Sequence, residues 1–189
     1  MFDRNLDTIN CNKVIIDDFK TAYNLTQSLI DKERKSFAFI STIEDLNVGK
    51  LRRKAFESVI QKNRHLELDY SILFIDKEED YQKQIKAFLI DNPNIDAIIA
   101  ADNITGTIAV NIAKNLGFNI PNGLNVIGFT DELVSNMSVP KLSYVDQNAE
   151  NIGAKALQMI VEKIRSKEAN QKNSTIKIPV NIIHKETTI

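Results

Sequence analysis

Residues Asp96–Phe129 read DAIIAADNITGTIAVNIAKNLGFNIPNGLNVIGF. The run DAIIAA (Asp96–Ala101) is apolar at every position after its first, which predicts a strand buried on both faces. ITGTIAVNIAKNLGF (Ile104–Phe118) has helical character and carries Gly117 where a helix ends. LNVIGF (Leu124–Phe129) is a strand again. A strand, a helix and a second strand of these lengths make a parallel crossover unit, which winds right-handed.

The same alternation runs outward in both directions. Upstream, KVII (Lys13–Ile16), SFAFIS (Ser36–Ser41) and YSILFI (Tyr70–Ile75) read as strands. Between them, helices are expected at Asp18–Lys32, with Ala22, Leu25, Leu29 and Ile30 on one face, and at Val48–Asn63, with Leu51, Ala55, Val59 and Ile60 inward. A further helix, Glu78–Asn92, stops at Pro93. Downstream, the stretch after Gly128 is expected to be a loop, followed by a short strand KLSYV (Lys141–Val145). The helix Ala149–Lys167 is strongly amphipathic, with Ile152, Ala156, Met159, Ile160 and Ile164 on one face. EANQKNS (168–174) reads as a polar linker, and Thr175–Glu186 as a last strand, at an edge because Pro179 cannot donate to a ladder. The sum is an α/β fold: a doubly wound, mostly parallel sheet with helices on both faces.

Composition narrows the function. The chain has 189 residues, 43% of them hydrophobic and 26% charged, which suits a globular unit with a real core. A formal net charge of −1 gives no field for nucleic acid or an anionic membrane. No apolar run is long enough to span a bilayer, and no secretory signal opens the chain. The single Cys11 excludes an intrachain disulfide and fits a reducing, cytoplasmic compartment. One cysteine and two distant histidines, His65 and His184, cannot build a zinc site. Neither a phosphate-cradling glycine loop nor a nucleophile elbow occurs, and neither histidine lies near a strand end. No enzyme activity, cofactor or metal is therefore expected.

In doubly wound sheets, ligands sit beyond the carboxyl ends of the strands. That rule selects Asp17 and Asp18, Ser41 and Thr42, Asp76, Asp102 and Asn103, Thr130 and Asp131, and Asp146 and Gln147. These carboxylates, amides and hydroxyls suit dense hydrogen bonding to a polar neutral ligand. A receiver-type phosphorylation site would need a lysine after a late strand, and FTDE (Phe129–Glu132) has none.

Several ordered features resemble the effector-binding region of LacI/GalR-type transcription regulators. They are Pro93 with Asp96-Ala97-Ile98, Gly117 followed by Ile120-Pro121, and Val126-Ile127-Gly128-Phe129 with Asp131. Pro140 with Leu142, Val145 with Gln147, and Gly153 complete the set downstream. Upstream, FDRNL (Phe2–Leu6) is similar to the family's Asp-Arg strand, and Arg52-Arg53-Lys54-Ala55-Phe56 to its Arg-x-x-Gly-aromatic helix, with Ala55 where the family has glycine. Asp102-Asn103 resembles the family's Asn-Asp pair in exchanged order, and Thr130 stands where a first aspartate is usual.

The resemblance implies a two-lobed, periplasmic-binding-protein-like type I fold. Residues 1–15 would be a remnant of the N-terminal lobe, 16–146 the C-terminal lobe, and 147–189 a helix and strand returning to the N-terminal lobe. It implies crossings between lobes at Ile16–Asp18, at Val145–Asn148 and at the extreme C-terminus. It also implies that the chain is a fragment lacking the DNA-binding headpiece, so that operator DNA is met only through an absent part. Ligand-binding residues would be Arg52, Asp102, Asn103, Gln147, Asp131 and Asp18, with Arg52 exposed in the empty cleft and the ligand a carbohydrate. A charge run such as KLRRK, taken alone, reads instead as a solvated face, and the Asp and Asn residues as helix caps and turns. Phe74 reads as plain core. A homodimer through Ile104–Leu116 is implied, and this chain by itself would bind no sugar. The alternatives are an exported sugar-binding protein of the same fold, and a small α/β enzyme or receiver.

Overall fold

Two strands of this chain show why the sheet needs cover on both sides. In Ser36–Ser41 (β2), Phe37 and Phe39 point to one face while Ala38 and Ile40 point to the other, and all four are fully buried. Ala97–Ala100 (β4) divides the same way, Ile99 to the first face and Ile98 to the second. Period-two alternation without a polar side requires a layer of helices above and below. The structure, a computed structural model, describes residues 1–6, 8–165 and 173–188.

Helices Asp18–Asp31 (α1) and Asn47–Lys62 (α2) cover the first face. Tyr81–Asp91 (α3) and Thr105–Asn115 (α4) cover the second. The large sheet has six strands in the order β3-β2-β4-β5-β6-β8, where β3 is Asp69–Phe74, β5 Asn125–Gly128, β6 Ser143–Asp146 and β8 Asn181–Ile183. The first five are parallel and β8 runs antiparallel to β6. The strand order reverses between β2 and β4. This is the topological switch point, where two neighbouring loops diverge and leave a crevice.

A second, smaller sheet pairs Lys13–Ile15 (β1) with Thr175–Lys177 (β7) in parallel. The FDRNL segment adds only a single bridge, Phe2 to Val14. Ala149–Arg165 (α6) lies on β1, and the core there is Val14, Ile16 and Ile152 with Ala156, Met159, Ile178 and Val180 against it.

Several expectations need correction. The single strand read over 175–186 is two strands, split at Ile178–Val180 around Pro179. β7 belongs to the small sheet and β8 to the large one, so the third crossing lies at 178–180 and not at the extreme C-terminus. Residues after β8 instead close the large sheet. The Thr187 hydroxyl donates to the Val126 carbonyl at 2.6 Å and accepts from the Ser143 amide at 2.7 Å. The loop after Gly128 contains a one-turn helix, Glu132–Ser135 (α5), capped by Asp131. The helix expected from Glu78 begins at Tyr81, because the Asp80 side chain accepts from the amides of Gln82 and Lys83 and so sets its start. In α2 the buried set includes Arg52 and Phe56, while Leu51 is half-buried. Phe74 is not core: it lies on the edge strand, 44% exposed, with the Arg53 guanidinium over its ring. The end of the helix expected to Lys167 and residues 168–172 of the polar linker lie outside the described residues.

Candidate functional site

At the switch point the first residues past β2 and β4 are tied together. The Asp102 carboxylate accepts from the Thr42 amide at 2.9 Å and the Thr42 hydroxyl at 3.1 Å through one oxygen. Its other oxygen accepts from the amides of Ile104 and Thr105, the start of α4. Asp102 thus caps a helix and bridges two loops, and both oxygens are occupied. α2 comes close to this point because residue 49 is glycine. A Cβ there would collide with the Ile43 carbonyl oxygen, so only glycine lets the first turn back onto the loop after β2.

That approach carries Arg52 into the interior, where it is only 4% exposed. Its Nε donates to Asp18 at 2.7 Å, its Nη1 to the Ala101 carbonyl at 2.7 Å and its Nη2 to the Gln147 amide oxygen at 2.9 Å. Nη2 also lies 2.6 Å from Asp18 Oδ1. The guanidinium stacks on Phe129, 3.8 Å from the ring centroid. Burial pushes the Asp18 carboxyl above its ordinary value, and the Arg52 charge partly offsets that rise. The same burial lowers Arg52, whose guanidinium starts so high that it keeps its proton. A buried ion pair of this kind contributes little net stability, but removing either partner leaves the other charge stranded.

Above this floor opens a cavity of about 430 Å³, the size class of small-ligand sites. Its rim and walls hold five of the six expected residues, namely Arg52, Asp102, Asn103, Asp131 and Gln147. Asp18 lies one layer behind, reached through Arg52. Asn103 is exposed, and its oxygen accepts from the Thr130 hydroxyl at 2.6 Å. Asp131 caps α5, and Asp146 accepts from the Asn148 amide at 2.9 Å. Arg52 is buried and not exposed as expected, because the strand-end carbonyl and the two crossings supply it with internal acceptors.

Of the remaining strand-end candidates, Thr42, Thr130 and Asp146 also line the cavity. Ser41 is buried and turned to the Ile43 amide, Asp76 sits beyond the edge strand capping its own turn, and Asp17 caps α1. Sequence reasoning missed Phe129 as the ring beneath the guanidinium, and Asp3 and Arg4 on the far wall. Phe129 ends β5, so the strand-end rule reached its neighbour Thr130 but not its side chain's direction. Asp3 and Arg4 are placed by pairing of Phe2 with Val14, which no local pattern announces. Among the described residues no group of three or more His, Cys, Asp or Glu could hold a metal ion, and no helix is long and apolar enough to cross a membrane.

The sequence matches the family described as periplasmic binding protein-like domain over residues 26–188. It is 27% identical over 179 residues to HTH-type transcriptional regulator RegA of Clostridium saccharobutylicum, covering 93% of this chain and 53% of that protein. It is 28% identical over 193 residues to catabolite control protein A of Staphylococcus xylosus, covering 98% of this chain and 54% of that one. The chain thus spans about half the length of the curated relatives it matches. Among solved structures it superposes on a protein of Actinobacillus succinogenes with a TM-score of 0.87 at 22% identity, over 100% of this chain and 69% of that one. A CelR–cellobiose complex superposes with a TM-score of 0.82 at 20% identity, over 98% of this chain and 57% of that one. A LacI family regulator of Enterococcus faecium with bound ribose gives 0.81 at 19%, over 99% and 69%. The relatives are transcription regulators, the doubly wound fold is shared, and this chain belongs to the periplasmic binding protein-like domain family.

Proposed function

We propose that this chain is the effector-binding unit of a cytoplasmic LacI-type transcription regulator, sensing a small polar ligand, in the first instance a carbohydrate, without chemistry. The observation that carries this reading is the switch-point cavity. Its floor is built of hydrogen-bonding groups held in place by one another: both oxygens of Asp102 are taken, and Arg52 donates to Asp18, Ala101 and Gln147 from within the protein. The buried charges Asp18, Arg52 and Asp102 are engaged with the protein, and the rim adds amides, hydroxyls and the carboxylates of Asp3, Asp131 and Asp146. Ligand contacts would come from Asn103, from the amide nitrogen of Gln147, from Thr42 and Asp131, and from the Nη1 hydrogen of Arg52 that no acceptor takes among the described residues.

The three parts 1–15, 16–146 and 147–189 are proposed as the lobe remnant, the complete lobe and the returning segment, with residues 181–188 rejoining the large sheet. Ligand would act by favouring one arrangement of the two units across the crossings, as differential affinity requires. Operator DNA would be met through another part of the full regulator, and α4 is the proposed homodimer contact.

The experiment is an amide NMR titration of this chain with ribose and with cellobiose, the sugars of the two structural neighbours. The floor alone offers several donors and acceptors, so a weak affinity of about 1 mM, or roughly −4 kcal/mol, is expected, where the resemblance by itself implied none. Shifts should centre on Thr42, Asn103 and Gln147. If no neutral sugar shifts these resonances at saturating concentration, this reading fails for the chain.

A further inference from the structure

The charges around the cavity do not balance. Among the described residues, Asp3, Asp102, Asp131 and Asp146 line it against two cations, Arg4 and Arg52. Arg52, the one buried cation there, already faces Asp18 at 2.6 Å from behind and gives two further donors to a backbone carbonyl and an amide. Among the described residues no lysine lines the cavity. The cation that lies deepest is therefore cancelled before any ligand arrives, and the carboxylates at the mouth are left with Arg4 alone, on the exposed N-terminal segment.

We infer that this site takes an uncharged polyhydroxy ligand and rejects phosphorylated or acidic ones, and that Asp18 is the residue that sets this selectivity. The inference rests on the sugar-binding reading and names its substrate class. Asp18 touches no ligand. It acts through Arg52, by neutralising the guanidinium and by turning its fork inward. A phosphate entering the cavity would have to draw Arg52 away from a buried carboxylate that has no other cation among the described residues, which strands that charge. It would also lie in the field of Asp131 and Asp146. A hydroxyl has neither difficulty: it can take the spare Nη1 hydrogen and leave the pair intact.

The test compares ribose, ribose 5-phosphate and inorganic phosphate on this chain at constant ionic strength, read by the Arg52 Nε–H and the Thr42 amide resonances. Wild type is expected to respond to ribose and to neither phosphate compound. Asp18→Asn, which keeps the side-chain shape and removes the charge, is expected to acquire phosphate binding at least about tenfold tighter than wild type, a difference of about 1.4 kcal/mol. A merely structural role for Asp18 would weaken every ligand alike and would not create a new anion site. Should Asp18→Asn fail to fold, Asp131→Asn/Asp146→Asn, both outside the core, is expected to raise ribose 5-phosphate affinity relative to that for ribose. The inference is overturned if wild type binds ribose 5-phosphate as tightly as ribose, or if neither variant gains affinity for the phosphate compounds. If phosphate selectivity behaves as described but no neutral sugar binds, the sugar reading falls and the charge argument stands.

Discussion

The six-stranded unit and the small two-stranded unit are made from one chain with the same kinds of residue, yet they are finished to different degrees. In the large unit, Phe37, Phe39, Phe56 and Ile98 are fully buried between two helical layers. Among the described residues of the small unit only Val14, Ile16 and Ile152 are buried, and α6 leaves Leu157 62%, Ile160 56% and Ile164 78% exposed. A parallel pair of strands needs cover on both faces, and β1 with β7 has it on one. An amphipathic stripe in a sequence states that a face needs cover. It does not state what supplies it, and here part of the stripe on α6 faces solvent.

The largest effects should fall where burial is complete. Phe56 packs against the rings of Phe37, Phe39 and Tyr70. Phe56→Ala is expected to destabilise the protein by about 4 kcal/mol, seen as a lowered urea midpoint; a loss no larger than that of an α6 surface variant would break the contrast between the units.

Arg52→Ala comes next, at about 3 kcal/mol, because it strands Asp18 in the interior. An arginine exposed in the empty cleft, as the resemblance implied, would have cost little. Asp18→Ala/Arg52→Ala should cost clearly less than the sum of the single changes. Strict additivity in a double-mutant cycle would show that the pair is not coupled.

Gly49→Ala should cost about 2 kcal/mol by forcing α2 off the Ile43 carbonyl. It should also disturb the cavity, so its amide shifts should spread to Thr42 and Arg52.

The seam between the units is weaker. Asp17 caps α1 through the Lys20 amide and meets Lys177 of β7 at 2.7 Å. Asp17→Ala is expected to cost about 1 kcal/mol, the usual value of a lost cap, with faster hydrogen exchange in β1 and β7 before the large sheet. The bond to Lys177 holds the Asp17 carboxyl below its ordinary value near 3.8. Its contribution is therefore present above pH 3.8 and is lost as pH falls toward the lower folded-state value. Asp18, its neighbour, has the opposite sign. Burial raises it, so stability from that group is greatest below 3.8 and declines as pH rises through its folded-state value. Opposite slopes in Asp17→Asn and Asp18→Asn stability profiles would sharpen the comparison, and parallel slopes would break it.

The smallest effect belongs to the exposed stripe. Ile160→Ser should change stability by no more than about 0.5 kcal/mol. A loss of several times that size would mean that the face is covered in solution, and sedimentation would then report whether a second copy covers it.

How legible this was depends on the range of the interaction that decides each feature. Ala97–Ala100 could be read as a doubly covered strand from its own residues, and Gly117, at φ +88°, as a helix terminator. The strand-end rule then collected Asp102, Asn103, Asp131 and Gln147 around one cavity before any contact was known. Other features had no local signal. Arg52 sits in a run of basic residues that looks solvated, and it is buried because its three acceptors come from 34, 49 and 95 positions away. Pro179 marked an irregularity, but that β7 and β8 join different sheets is settled only by which edge each one meets.

By itself, then, the sequence determined the layers of the molecule and the end of the sheet at which polar groups gather, because hydrophobic periodicity and caps act over one or two turns of chain. Only the tertiary structure decided that Arg52 is neutralised from behind, that Asp102 is spent on Thr42 and α4, and that the C-terminal threonines close the sheet between β5 and β6. Those outcomes depend on which donors and acceptors the assembled fold brings within about 3 Å, and the spacing of residues along the chain carries no record of that distance.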